Sequence, residues 1–345
     1  MKKEVLLGLS GGVDSAVAAH LLQSKGYHVE GAYCIMSDLH LSGLNKARLI
    51  AEELGIKLHE LDLRNEFYET IIAPFCEAYN NGYTPSPCVI CNPLVKFKAL
   101  IEKADYLSIP FIATGHYAKV IQQESGFTIA VSSDIRKDQS YMLYRLSQTQ
   151  LSRLILPLEE FSKIKTREIA SALRLSNHND PDSEENCFIP DKKYSDFIAR
   201  HLSSVKAGNF ILPNGETKPH KGVFNYTIGQ RSGLGISYKE PLYVKQIHKN
   251  GDIILCTSGQ EYFSKIIIED IVMNPNFNIH KGDSFQAKVR SAAKPQNCII
   301  DNISDSKITL YFPDNVRAPA PGQSAVLYID NKIALGGIIS AVVDS

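Results

Sequence analysis

Apolar residues in the first 130 or so positions fall into short, nearly continuous runs that alternate with longer segments typical of helices. The short runs predict buried strands, and the longer segments predict the helices between them. The predicted strands cover residues 4–10, 28–35, 57–63 and 109–117, and the predicted helices cover 14–26, 44–55 and 95–105. This alternation indicates an α/β fold, with a parallel sheet covered by helices on both faces. Ligands of such sheets bind at the carboxyl ends of the strands.

Beyond about residue 200 the pattern changes to short β-type runs, separated by Asn-Gly, Pro and Gly turn signals. It predicts an all-β half with one small domain followed by a barrel or sandwich. The expected domains are an α/β domain over residues 1–202, a small central β-rich domain over 203–260 and a C-terminal β-barrel domain over 261–345.

Composition excludes several classes of protein. Lysine plus arginine and aspartate plus glutamate balance at 37 each, so a polyanion would have to be held by local patches. The apolar run near the N-terminus is short and broken by glycines, unlike a signal peptide. No apolar stretch approaches the roughly 20 residues of a membrane span. Seven cysteines without disulfide-framework spacing fit a reducing cytosol, so we expect a cytoplasmic protein without a membrane partner.

A glycine-serine loop, GLSGGVDS at residues 8–15, joins the first predicted strand to the first helix. Gly11 and Gly12 allow the backbone to approach a phosphate, and amides at the start of the helix point at such an anion. The lysine of the Walker pattern is absent. A loop that cradles pyrophosphate without this lysine suits nucleotidyl transfer better than phosphoryl transfer. The alternative interpretation is a tight strand-helix turn with an N-cap.

Two cysteines, Cys88 and Cys91, form a CxxC pair inside a proline-rich loop. Such a pair serves as a metal clip, as a redox pair or as a site that handles sulfur. A structural zinc site is disfavoured, because no second CxxC or HxxxH supplies further ligands. Cys187 lies beside two apolar residues, so a buried core thiol is the alternative there. The remaining cysteines are expected to be small buried hydrophobes, namely Cys34, Cys76, Cys256 and Cys298.

Several motifs together resemble a known family. SGGVDS resembles the PP-loop of the ATP pyrophosphatases, which adenylate a carbonyl oxygen and release pyrophosphate. Five further motifs follow in the order of the tRNA-specific 2-thiouridylases over nearly the whole chain, namely ATGHYAKV (113–120), KDQSYMLYRL (137–146), DSEENCFI (182–189), NYTIGQRSGLGI (225–236) and PGQSAVLY (321–328). The resemblance implies a PP-loop domain of the adenine nucleotide alpha hydrolase type, followed by a central domain and a C-terminal β-barrel that binds tRNA.

The resemblance also implies the reaction and its partners. The enzyme would be a tRNA-uridine 2-sulfurtransferase that uses ATP and Mg²⁺ to replace the C2 oxygen of the wobble uridine by sulfur. Its partners would be tRNA and a sulfur donor, such as a cysteine desulfurase or a relay protein. The nucleotide would contact Gly8, Leu9, Ser10, Gly11, Gly12, Val13, Asp14, Ser15, Cys34 and Gly115. The tRNA would contact Ser86, Pro87, His116, Lys137, Asp138, Gln139, Arg290, Ser291 and Gln323.

By the same resemblance, Cys187 carries a persulfide and Cys91 resolves it by forming a disulfide. Cys88 departs from the pattern, because many relatives carry an aspartate there. A second hypothesis therefore assigns Cys88, Cys91 and Cys187 to a 4Fe-4S cluster, with an open iron that carries the sulfide. Lys96 and Lys98 near these cysteines are candidate phosphate contacts, or else part of a solvated helix face.

Two other classes of function remain open at this stage. A PP-loop ligase that amidates small molecules would need neither the cysteine pair nor a barrel that grips RNA. A non-catalytic RNA-binding protein could retain the loop as a relic. The dependence of ATP turnover on tRNA and on the cysteines distinguishes these alternatives from a thiolase.

Overall fold

A five-stranded parallel sheet forms the centre of the N-terminal half. The structure is a computed structural model that describes residues 3–182, 186–189 and 193–343. The strands of this half are β1 (Glu4–Gly8), β2 (His28–Ile35), β3 (Leu58–Asp62), β4 (Phe111–Thr114), β5 (Lys119–Gln123), β6 (Gly126–Ala130) and β7 (Leu154–Ile155). The parallel sheet has the order β3-β2-β1-β4-β7. The predicted α/β architecture is confirmed.

Helices cover both faces of this sheet. The helices of this half are α1 (Val13–Ser24), α2 (Leu39–Glu53), α3 (Arg64–Phe67), α4 (Ala73–Asn80), α5 (Pro87–Cys91), α6 (Phe97–Tyr106), α7 (Gln148–Arg153), α8 (Lys163–Ala172) and α9 (Tyr194–His201). Side chains of β1 point alternately to the two faces. Leu6 packs in the core that includes α6, whereas Val5 and Leu7 pack in the core that includes α1 and α8. A strand buried on both faces explains the continuous apolar run of the sequence. None of the helices among the described residues is long and apolar enough to cross a membrane.

The CxxC pair lies on a helix, which corrects the sequence prediction of a proline-rich loop. Helix α5 begins at Pro87 and carries both Cys88 and Cys91. Proline is tolerated at this position because the first residues of a helix have no intrahelical partner for their N–H groups. The π-helical turn Asn92–Lys96 follows at once and leads into α6. The cysteines therefore lie on a short helix that continues into the core of the domain.

The second half consists of a small sheet and a closed barrel. The small sheet contains β8 (Asn209–Ile211), β9 (Thr217–Pro219), β10 (Leu242–Ile247) and β11 (Ile253–Thr257). The barrel contains β12 (Tyr262–Met273), β13 (Ser284–Lys288), β14 (Gln296–Ile303), β15 (Lys307–Arg317), β16 (Ser324–Ile329) and β17 (Lys332–Val343). Pairing of β12 with both β15 and β17 closes the ring of six antiparallel strands around an apolar interior. The predicted C-terminal β-barrel is confirmed.

A hairpin connects the two halves in a way that the sequence did not predict. Strand β4 ends at Thr114, earlier than the predicted strand 109–117, so Gly115 and His116 lie in a loop. The chain then forms the antiparallel hairpin of β5 and β6. Ala130 at the end of β6 pairs with Lys332 of β17, and the hairpin thereby extends the barrel sheet. The barrel is held against the α/β half by main-chain pairing.

Candidate active site

The loop between β1 and α1 has the geometry of an anion-binding site. Gly11 has a φ of +78°, and a Cβ there would lie 2.9 Å from the amide nitrogen of Ala47. The Ser15 hydroxyl donates to the Gly12 carbonyl oxygen at 3.0 Å and accepts from the Ser10 amide at 3.2 Å. These bonds fix the loop, while the amides at the start of α1 point outward without intrahelical partners. The predicted phosphate loop is therefore present with a preformed shape.

Asp14 lies next to this loop and is held in place by two groups. Lys163 Nζ donates to both carboxylate oxygens of Asp14, at 2.7 and 2.8 Å. The Tyr117 hydroxyl donates to the same carboxylate at 2.7 Å. Lys163 also forms an ion pair of 3.0 Å with Asp182. The start of α1 is thus linked through one ammonium to the segment that precedes Cys187.

Asp182 forms ion pairs with three cationic side chains. Besides Lys163, it accepts from Lys137 Nζ at 2.6 Å and from Arg167 Nη2 at 2.6 Å. The hydrogen bond from Lys137, followed by those from Lys163 and Arg167, holds the pKa of the Asp182 carboxyl well below its usual range, against the effect of burial. Lys137, predicted to contact tRNA, therefore has an acidic partner within the protein. Residues 183–185 of the same predicted motif lie outside the described residues.

The loop after β4 packs directly against the phosphate loop. A Cβ on Gly115 would lie 2.9 Å from the carbonyl carbon of Asp14 and 2.9 Å from the amide nitrogen of Ser15. Such a distance is too short for any side chain, because both neighbours are backbone atoms. Glycine is therefore required at this position by close packing, and Gly115, predicted to contact the nucleotide, lies beside the phosphate loop.

His116 is a neutral imidazole in the centre of the site. Its Nδ1 lies 2.7 Å from Thr114 Oγ1, and its ring stacks on Phe97 with centroids 5.9 Å apart. Burial, reinforced by the charge of Lys96, lowers the pKa of His116 to about 3. The residue is uncharged at neutral pH, so it would contact RNA by hydrogen bonding or stacking rather than by attracting phosphate.

Two other residues of the predicted tRNA-binding set brace this region. The side-chain oxygen Oε1 of Gln139 accepts from the Tyr117 backbone amide at 3.0 Å. The backbone amide of Gln139 donates to the Tyr117 carbonyl oxygen at 2.8 Å. Asp138 accepts from the Ser132 amide at 3.2 Å and from the Ser140 hydroxyl at 2.8 Å. Both side chains stabilise the loops beside the site in this structure.

Four thiols lie within electrostatic reach of one lysine. Lys96, at the end of the π-helical turn, lies close enough to Cys34, Cys88, Cys91 and Cys187 for their charges to interact. Burial lowers the pKa of the Lys96 ammonium, but the four sulfur groups outweigh this effect and raise it above its ordinary value. In turn, burial raises the pKa of Cys91 to about 12, and the charge of Lys96 opposes that rise. This cluster is called the sulfur pocket below.

The thiols of the sulfur pocket differ in access to solvent. Cys91 is 7% exposed, Cys88 and Cys34 are partly buried, and Cys187 is exposed. Surrounding protein atoms raise the pKa of the Cys187 thiol although the residue is exposed, and the charge of Lys96 acts in the opposite direction. Cys34, predicted to line the adenine pocket, belongs to this group of thiols. The other three cysteines are buried as predicted.

An aromatic anchor keeps Cys187 near the CxxC helix. Phe188 and Ile189 are buried in the same apolar cluster as Cys91. The Phe188 ring makes edge contacts with Phe67 at 5.5 Å and with Phe75 at 5.2 Å between centroids. Burying an aromatic ring contributes a few kcal/mol, about 1.5–3, so this contact opposes displacement of the neighbouring thiol.

Lys96 and Lys98 have different surroundings. Lys98 is exposed and donates to Glu66 at 2.6 Å. Within the described part of the chain, Lys96 makes no ion pair with a carboxylate, although it is partly buried. A partly buried cation without a carboxylate partner is costly unless an anion binds beside it. Lys96 was predicted only as a candidate phosphate contact, and its place in the sulfur pocket was missed.

The sulfur pocket is not arranged as a metal site. In the ranges 3–182, 186–189 and 193–343, no group of three His, Cys, Asp or Glu side chains could hold a metal ion. Cys88, Cys91 and Cys187 are free thiols. The ligand set predicted for an iron-sulfur cluster therefore does not fit a preformed site in this arrangement, and the cluster itself stays a prediction.

The predicted tRNA contacts of the barrel lie at domain junctions. Arg290 Nη2 donates to the carbonyl oxygens of Ile228 at 2.9 Å and Ala318 at 2.7 Å, which connects the barrel to the small sheet domain. Its neighbour Ser291 is partly exposed. Arg290 is therefore hydrogen-bonded within the protein, whereas Ser291 is partly exposed to solvent.

The loop before the CxxC helix is clamped to the barrel. Gln323 Nε2 donates to the Thr84 carbonyl oxygen at 2.8 Å, and the Thr84 amide donates to the Pro321 carbonyl oxygen at 2.8 Å. A Cβ on Gly322 would lie 3.0 Å from the Thr84 amide nitrogen. Two residues further on, Ser86 precedes the first turn of α5. The barrel thus holds the start of the segment that carries the cysteines.

Three family models match successive parts of the chain. The tRNA methyl transferase HUP domain matches residues 3–191, the tRNA methyl transferase PRC-barrel domain matches 195–257, and the aminomethyltransferase beta-barrel domain matches 263–339. Among curated relatives, the tRNA-specific 2-thiouridylase MnmA of Clostridium botulinum strain Alaska E43 is 37% identical over 357 residues, covering 99% of each chain. MnmA of Clostridium beijerinckii is 36% identical and covers 99% of this chain and 100% of the relative.

Proposed function

Because this chain belongs to the family of tRNA-specific 2-thiouridylases, we propose that it catalyses the ATP-dependent 2-thiolation of the wobble uridine of tRNA. The observation that carries this proposal is the position of the phosphate loop and the sulfur pocket at one edge of the sheet. The loop follows β1, Cys34 lies near the end of β2, and His116 follows β4, which are adjacent strands. An adenylated base held there would meet sulfur without leaving the site.

The phosphate loop would serve the adenylation step. The C2 oxygen of uridine is a poor leaving group, so ATP first transfers AMP to it and releases pyrophosphate. Amides at the start of α1 would hold the phosphates, and Gly115 would keep the loop after β4 close to them. Mg²⁺ would enter with the nucleotide, and Asp14 is the candidate carboxylate ligand beside the loop.

The sulfur pocket would serve the second step. The terminal sulfur of a Cys187 persulfide attacks C2 of the adenylated uridine, and AMP leaves. The Cys91 thiolate then attacks the Cys187 sulfur, which breaks the bond to the transferred sulfur and forms a Cys91–Cys187 disulfide. The exposure of Cys187 supports this division of roles, because a donor protein can reach it, whereas Cys91 is buried. A cysteine desulfurase or a relay protein remains the expected donor.

The test of the function combines two measurements in one reaction. The protein is incubated with ATP, an unmodified tRNA transcript and a persulfide source, and both pyrophosphate and 2-thiouridine are measured, the latter by nucleoside mass spectrometry. We expect pyrophosphate release to require tRNA and to match the thiouridine formed. Pyrophosphate release with a small amine substrate but without tRNA would indicate a ligase. Tight tRNA binding without pyrophosphate release would indicate an RNA-binding protein.

The individual RNA contacts, the three domains and a cytoplasmic location are parts of this proposal. Ser86, Pro87 and His116 lie beside the sulfur pocket, where an extruded base would arrive. Extrusion of a base costs a few kcal/mol, and least from a loop such as the anticodon loop. The β-rich domains would hold the body of the tRNA while the α/β domain carries out the chemistry.

Gln323 offers a test between RNA contact and internal support. If its hydrogen bond to Thr84 positions the CxxC helix, Gln323→Ala should lower kcat for thiolation about 10- to 100-fold, because small displacements of reacting groups are that costly. The Kd for tRNA, measured by filter binding, should not change. Gln296→Ala is the matched control, since Gln296 donates to the Asn315 carbonyl oxygen within the barrel at 3.3 Å. A higher Kd with unchanged kcat would instead assign Gln323 to the RNA.

A further inference from the structure

Cys88 is a thiol for which the two chemical steps above have no use. It lies on α5, three residues before Cys91, and is only partly buried. Residues three apart on a helix have Cβ atoms about 5–6 Å apart, and a disulfide needs about 3.5–4.5 Å. If the Cβ atoms of Cys88 and Cys91 approached each other by about 1–2 Å, the two sulfurs could form a disulfide. Few hydrogen bonds at the start of α5 oppose such a shift, since the Val89 amide reaches only the carbonyl oxygen of Ser86, at 3.3 Å.

Cys88 lies within electrostatic reach of the persulfide pair. The charge of its thiolate interacts with those of Cys91 and Cys187, and all three interact with the Lys96 ammonium. The side chains of Phe188 and Ile189 hold the Cys187 segment in the apolar cluster of Cys91. Thiols within electrostatic reach of one another and of one cation can exchange disulfide bonds once two of them approach to bonding distance.

We propose that Cys88 completes a thiol relay that regenerates Cys187 after each sulfur transfer. This inference rests on the proposed function, because it starts from the Cys91–Cys187 disulfide that thiolation leaves behind. The Cys88 thiolate attacks the Cys91 sulfur, a Cys88–Cys91 disulfide forms, and Cys187 leaves as a thiolate that takes up the proton released by Cys88. One disulfide is exchanged for another, so no electrons are gained or lost in this step.

The relay separates the acceptance of new sulfur by Cys187 from the reduction of the disulfide that thiolation leaves behind. The exposed Cys187 is freed to accept the next sulfur from the donor. The Cys88–Cys91 disulfide is then reduced by a dithiol, which is oxidised to its own disulfide. Cys91 is buried, so the partly exposed Cys88 is the sulfur that the dithiol would attack. The Lys96 charge stabilises whichever thiolate leaves.

Disulfide mapping after a single turnover tests the relay. The full-length protein, loaded with persulfide, reacts with ATP and tRNA without reductant, is quenched with acid and an alkylating agent, and is digested for mass spectrometry. We expect the wild type to contain Cys88–Cys91 disulfide with alkylated Cys187. Cys88→Ser should instead accumulate Cys91–Cys187 while making one equivalent of thiouridine. Cys76→Ala is the matched control, because Cys76 lies in the same apolar cluster and should leave the wild-type pattern unchanged.

A second measurement separates failure of the relay from failure of the proposed function. Oxidation of the protein by glutathione disulfide, without tRNA or ATP, should also yield Cys88–Cys91 as the main disulfide in the wild type and Cys91–Cys187 in Cys88→Ser. If the wild type shows only Cys91–Cys187 in both experiments, the relay is wrong even though thiolation proceeds. Iron and acid-labile sulfide that are present after anaerobic purification and lost in Cys88→Ser would likewise overturn it, in favour of a cluster.

Discussion

Replacing Cys187 with serine is expected to lower 2-thiouridine formation about 10³-fold or more, as removal of a nucleophile does in other enzymes, while pyrophosphate release that depends on tRNA continues. Serine cannot carry the sulfane sulfur, so the adenylated uridine meets no sulfur nucleophile. The phosphate loop lies on another element and keeps its contacts among Ser10, Gly12 and Ser15. Thiouridine and pyrophosphate are measured in the same reaction mixture.

A control for this prediction is Cys256→Ser, which changes a buried thiol in the small sheet domain and should leave both products at wild-type levels. Continued thiolation by Cys187→Ser would show that another sulfur group is the carrier. Loss of pyrophosphate together with thiouridine would show that the substitution disturbs adenylation as well, and the separation of the two steps would then be wrong.

The architecture could be predicted from sequence because each element carries its own signal. Strand β1 is buried on both faces, which produces an apolar run that marks a parallel strand. The phosphate loop needs Gly11 for its positive φ and for the close approach of Ala47. These requirements act on neighbouring residues, so a short stretch of sequence reveals them. Gly115 and the predicted residues of the phosphate loop therefore lie next to each other in the structure.

Contacts between segments that are far apart in the sequence could not be predicted, because no local sequence pattern marks them. The pairing of Ala130 with Lys332 and the bond from Gln323 to Thr84 depend on how the barrel packs against the α/β half. Arg290 has the same chemistry whether it meets a phosphate or the carbonyl oxygens of Ile228 and Ala318. Sequence identifies these side chains as hydrogen-bond donors, but only the tertiary arrangement identifies the acceptors.

The role of Lys96 was hidden by the local helix geometry. With about 3.6 residues per turn, a residue five positions after Cys91 would lie well away from its face of the helix. The turn Asn92–Lys96 is π-helical, and its hydrogen bonds join residues five apart. This geometry brings Lys96 back toward the thiols, whereas Lys98 reaches Glu66 at the surface. Periodicity alone would not have distinguished the two lysines.

Lys96→Met is therefore expected to lower the rate of thiolation about 100-fold, the usual cost of removing one preorganised charge from a reaction centre. The ammonium favours the anionic form of the sulfur groups around it. Its removal should also raise the pH midpoint of Cys187 alkylation by about one unit or more. The sign follows from charge: a nearby cation lowers a thiol pKa, so loss of the cation raises it. Alkylation rates between pH 8 and 12 provide the measurement, because burial raises the pKa of the Cys187 thiol to about 11.

Two further variants decide whether charge or shape causes this effect. Lys98→Met removes a lysine of the same helix whose partner is Glu66 and should leave both the thiolation rate and the alkylation midpoint near wild type. Lys96→Arg keeps the charge and should restore the midpoint, although its larger head group fits the pocket less well. If Lys96→Met lowered thiolation without moving the midpoint, the lysine would act on RNA or on pocket shape, and its role as counter-charge to sulfur would be refuted.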